Sequence, residues 1–143
     1  MQIGNHHHNY AWTEKWGNIP DTQSAREGWA HHGIVVSNTG NVFSFHQGDN
    51  TLITFDEHGT LIDSAQTTVE NAHGMTLVEE NGEEFIWLAD NLTGQVVKVD
   101  LNGTLVSSIS KPDIKVYAEG GNYSPTEVAV NEERNGGKGE IIV

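Results

Sequence analysis

The chain has no cysteine, which excludes disulfide staples and thiolate metal sites and leaves its redox compartment unmarked. Basic residues are scarce: seven Lys and Arg stand against twenty Asp and Glu, a formal charge of −13 over 143 residues. Such a surface repels a phosphate backbone, whose capture needs clustered Lys and Arg. Nucleic acid and anionic membrane surfaces are therefore not expected partners. Long apolar runs are missing too. The opening MQIGNHHHNY lacks the hydrophobic stretch of a signal peptide, and no segment has the length of a membrane span. His6, His7 and His8 in this polar start read as a solvated tail. No phosphate-binding Gly loop, Ser/His/Asp order or paired-carboxylate spacing stands out.

What is present suffices for one folded domain. Four Trp, three Tyr and four Phe within 36% apolar residues argue against disorder, and the length suits a single core. The strongest pattern is a repeat. HGIVVSNTGNVFSFHQGDNTLITFDEHGTL at 32–61 returns as HGMTLVEENGEEFIWLADNLTGQVVKVDLNGTL at 73–105. His32-Gly33 thus recurs as His73-Gly74, and Gly59-Thr60-Leu61 as Gly103-Thr104-Leu105. A period in the forties, filled with short β-rich runs and Gly turns, is the pattern of a propeller blade.

Each repeat divides into four β-like runs, predicted at 32–36, 41–45, 51–56 and 61–66, then at 75–79, 84–89, 95–100 and 105–110. Thr39-Gly40, Gly48-Asp49-Asn50, His58-Gly59, Asn81-Gly82 and Asn102-Gly103 mark turns, and Asn-Gly supplies the positive φ angles of tight hairpins. Asp49, Asp56, Asp90 and Asp100 sit at strand ends, where Asp caps its own backbone. A third unit starts at Pro125 with TEVAV, turns through Asn135-Gly136-Gly137 and enters IIV at Ile141. The connection at 111–123 is long, and such loops often carry function. YAWTEKWG at 10–17 alternates and is expected to serve as an outer, ring-closing strand. Glu79-Glu80 and Glu132-Glu133 read as solvated turns. Asn91-Leu92-Thr93, Asn102-Gly103-Thr104 and Asn122-Tyr123-Ser124 match glycosylation acceptors, but turn chemistry alone explains Asn at these places.

The expected fold is all-β: a partial β-propeller of about two and a half to three four-stranded blades. It forms a single domain over 1–143, with a tail at 1–30, blades at 31–67 and 72–110, and the first half of a third at 124–143. Propellers close with roughly four to eight blades so that every sheet face is covered, whereas an arc exposes an apolar face at each end. Either copies of the chain assemble, a homo-dimer giving about six blades, or the sequence is part of a longer one.

The succession GIVVSNTGNVFSFHQGD, TLITFD, AHGMTLVEENGEEFIWLAD, QVVKVDLNG and SPTEVAVNE resembles the first half of the catalytic propeller of peptidyl-α-hydroxyglycine α-amidating lyases, within the NHL-type six-bladed propellers. FHQGD at 45–49 and AHGM at 72–75 are the most specific pieces. The resemblance implies a zinc on the propeller axis held by three histidines of alternate blades, of which His73 matches the first, and a structural calcium held partly by the backbone at Ile34 and Met75. It places Gln47 where the family has an arginine implicated in catalysis, and glutamine lacks the fixed charge and guanidinium fork. His32 matches by repeat position and reads as a channel or turn residue, and His46 with Gln47 is expected on the upper face. Two functions follow: a non-catalytic binding or assembly module that takes a peptide, a small molecule or its own copies, and a metal-dependent lyase completed by oligomerisation or further sequence.

Overall fold

A computed structural model describes residues 2–27 and 32–143. The junction of tail and first blade at 28–31 lies outside the described residues, as does Met1. The chain opens with a hairpin of β1 (Gln2–Gly4) and β2 (Asn9–Ala11), followed by the short helix α1 (Gln23–Glu27). Then come β3 (Ile34–Val36), β4 (Val42–His46), β5 (Thr51–Phe55) and β6 (Leu61–Gln66), paired antiparallel in that order as a four-stranded meander. A second meander follows in β7 (Ala72–Glu80), β8 (Glu83–Asp90), β9 (Gln95–Asp100) and β10 (Leu105–Ser110). After the one-turn helix α2 (Lys115–Ala118), β11 (Ala129–Asn131) and β12 (Glu140–Ile142) form a two-stranded unit. The protein is all-β, with two complete blade-like sheets and half of a third stacked as a partial propeller.

Local chemistry explains the hairpins. Asn81 and Gly82 take φ of 54° and 85°, the left-handed values that the two-residue β7–β8 turn demands. At the outer turns the two repeats use one device. Asp56 Oδ1 accepts the backbone N–H groups of His58 and Thr60, and Asp100 Oδ1 accepts those of Asn102 and Thr104. Asp90, almost wholly buried, accepts four backbone N–H groups, from Glu70, Asn71, Leu92 and Thr93. Asp49 departs from this pattern, because its carboxylate turns to His46.

Burial of one face of each sheet drives the stacking. Val35, Phe43, Phe45 and Leu52 of the first meander interlock with Met75, Ile86, Leu88, Val97 and Val99 of the second. On its other face the second meander meets the third unit through Val78, Trp87, Val96 and Val128, with Phe85, Val130 and Ile141 at the border. The inner strands β3, β7 and β11 therefore lie in series, as in successive blades.

The tail behaves differently from the expected outer strand. Within 10–17 the strand stops at Ala11, and β2 pairs with β1, not with either meander. Tyr10 and Trp12 stay more than half exposed, so the alternation buries no face there. Instead residues 16–22 lie across the first meander as a strap. The Trp16 and Phe55 rings stand 5.9 Å apart, and Asn18 N–H donates to Gly59 O at 2.8 Å.

Candidate functional site

The two His-Gly pairs of the repeat perform one mechanical task. His32 sets its ring edge on Phe45 and donates Nδ1–H to Ala72 O at the start of the second meander. One blade further, His73 donates Nδ1–H to Thr126 O at 3.0 Å. A carbonyl oxygen only accepts, so each contact assigns the proton to Nδ1 and the lone pair to Nε2. The following glycines allow the inner strands to touch. A Cβ on Gly33 would sit 2.8 Å from Met75 N and Cβ, and one on Gly74 would sit 2.7 Å from Thr126 O. At the start of the third unit, after the longer connection, the chain carries Glu127-Val128 in place of His-Gly, and Glu127 accepts from Val128 N–H.

His46 belongs to a different environment. Phe45 and His46 are successive in β4, so they point to opposite faces. Phe45 enters the core with His32, whereas His46 is buried beside the strap, where Thr22 Oγ1 approaches its ring at 3.5 Å and Asp49 Oδ2 lies 2.9 Å from Nδ1. Gln47 is half-buried in the β4–β5 turn. The structure thus brings His46 and Asp49 together, but it separates them from His32 and places His73, exposed, on the next sheet.

Among the described residues no group of three or more His, Asp or Glu could hold a metal ion. His73 alone does not fit a zinc centre, which takes three or four protein ligands. Ile34 projects an exposed side chain and Met75 a buried one, so calcium there would depend on backbone carbonyls without a carboxylate cluster.

Two groups escaped sequence reasoning. Lys98, in the middle of β9, is 7% exposed. Its ammonium pairs with Glu80 and lies 4.2 Å from the Phe85 ring centroid and 5.9 Å from that of Trp87. The only signal was a lysine inside the apolar run QVVKVD. The acidic turns are also more than solvated ends. Glu79 and Glu84 accept from Asn38 of the first meander, and Glu132 accepts Glu79 N–H, so these carboxylates stitch successive sheets together. Glu79, Glu80, Glu132 and Glu133 line a cleft of about 570 Å³ between the β7–β8 turn and the third unit. On the connection at 111–123, Tyr117 and Tyr123 meet edge to face at 5.2 Å, and burial followed by the neighbouring Tyr117 pushes the Tyr123 hydroxyl pKa up.

The geometry defines a propeller-like protein whose inner histidines join blade to blade. No family model matches the chain, and no curated protein matches it.

Proposed function

We propose that this chain is a binding and assembly module of NHL-type, amidating-lyase-like ancestry that works by presenting sheet faces to another copy of itself, not by catalysis. The supporting observation is the open inner half of the first meander, where Ile34 and Val36 are 68% and 55% exposed on the face turned away from the second meander. A sheet face of this kind loses free energy to water until another surface covers it. Gln47 in the family's arginine position and the lone His73 point the same way. Sedimentation equilibrium is expected to give a dimer, and Ile34→Glu to give a folded monomer whose melt is lowered by the lost association. A clean monomer of the unaltered chain with a cooperative melt overturns the reading.

One observation favours the lyase reading. Because His73 Nδ1–H is held by Thr126 O, its Nε2 is oriented as a ligating histidine is, with a carbonyl as the outer partner. Glyoxylate release from an α-hydroxyglycine peptide, together with stoichiometric zinc in protein purified without added metal, would establish it. Absence of both removes it.

A further inference from the structure

The covered part of the first meander's outer face takes in β5 and the His46 end of β4, and the open part runs along β3 and the start of β4. By register Ile34, Ser44 and Ile53 lie side by side on this face, as do Val36, Val42 and Phe55. Ile53 and Phe55 are each 4% exposed, Val42 and Ser44 are half-buried, and Ile34 and Val36 are open. The cover over the outer half is the strap. Trp16 packs on Phe55, a Cβ on Gly17 would touch that ring at 3.6 Å, and Thr22 reaches His46.

We propose that residues 16–22 stand in for the outer half of a neighbouring blade, so that the remaining open strip accepts the two-stranded β11–β12 unit of a second copy of this chain. This rests on the assembly reading above and adds its geometry. Width is the first argument. Strands in a sheet lie about 4.8 Å apart, so β11 and β12 side by side match the width of β3 and β4. Composition is the second. Val130 and Ile141 of the third unit face the second meander, leaving Ala129 opposite Ile142 and Asn131 opposite Glu140 on its outer face, with Ile142 63% exposed. The Glu140 carboxylate is already held by Asn131 Nδ2–H and Lys138 N–H. The receiving residues Ile34, Val36, Val42 and Ser44 bear no charge, so the Glu140 carboxylate meets no like charge there and arrives already hydrogen-bonded. Continuity is the third. β3 stacks on β7 and β7 on β11, so β11 of one copy against β3 of the next repeats the same step. A two-fold axis through the ring centre makes both such contacts equivalent.

The absence of cysteine makes a clean test available. The double variant Ile34→Cys, Ala129→Cys, which joins β3 of one copy to β11 of the next, oxidised with glutathione disulfide, is expected to run as a covalent dimer on a non-reducing gel. Trp16→Ala is expected to weaken dimerisation of the otherwise unaltered chain about tenfold, read by sedimentation equilibrium with a far-UV spectrum to confirm folding. A monomeric unaltered chain removes the assembly reading and this inference together. A dimer whose cysteines fail to join, or whose affinity is unchanged or raised by Trp16→Ala, leaves assembly standing and overturns the role of the strap. If Trp16→Ala does not fold, the cross-link alone decides.

Discussion

His73 Nδ1 and Thr126 O lie 3.0 Å apart and repeat, across the next sheet interface, the contact between His32 and Ala72. Two residues in equivalent places of a repeat thus make equivalent bonds to the backbone of the following unit. The pairing gives the His-Gly motif a structural purpose that is independent of metal binding.

The glycine half of this motif is expected to be the less replaceable. Gly74→Ala would place a Cβ 2.7 Å from Thr126 O and 2.8 Å from Glu127 Cα, backbone atoms that cannot swing aside. A loss of about 1–3 kcal/mol follows. His73→Leu removes one exposed hydrogen bond and should cost about 1 kcal/mol. Urea unfolding of both variants checks the order, which reverses if the inner strands separate easily.

Lys98 predicts an asymmetry. Glu80→Ala leaves a mostly buried ammonium facing only the Phe85 and Trp87 rings. Because Glu80 is nearly half exposed, water softens the effect to about 1 kcal/mol. Lys98→Met keeps the apolar stem against the rings and is expected to be near neutral. Equal losses in thermal unfolding would count against this account.

Core packing between the blades should dominate stability. Leu88 is fully buried between the two meanders, whereas Leu92 is 65% exposed in the turn after β8. Leu88→Ala is expected to cost about 3 kcal/mol, and Leu92→Ala less than about 0.5 kcal/mol. Comparable effects would mean that the sheets do not stack face to face.

Acid should loosen the outer turn of the first meander. The Thr60 N–H lowers the Asp56 pKa, opposed by partial desolvation and aided by further hydrogen bonds from Thr60 and His58. A carboxyl held below its unfolded value of about 3.9 adds stability that is present above that value and disappears as pH falls through the folded one. Amide exchange at His58 and Thr60 is therefore expected to rise below about pH 4, and Asp56→Asn to show that acid response much reduced.

Local chemistry was readable along the chain. β6, β9 and β10 occupy the predicted spans, and β5 ends one residue early, because turns such as 56–60 close through contacts two to four residues apart. Residues 10–17 misled because their alternation matches strand period, while Trp16 finds its partner in Phe55, far along the chain. The candidate site was legible only in part. His32 and His73 stand out by repeat, but their carbonyl partners belong to other sheets, and the Lys98–Glu80 pair joins β9 to the far end of β7.

The order of residues thus determined the period, the turns and two alternating faces for each strand, since these depend on neighbours a few positions away. Which face is sealed, what Trp16 covers and where each imidazole points were decided only when distant segments came into contact. Burial is a property of both surfaces that meet, and a strand's own sequence describes just one of them.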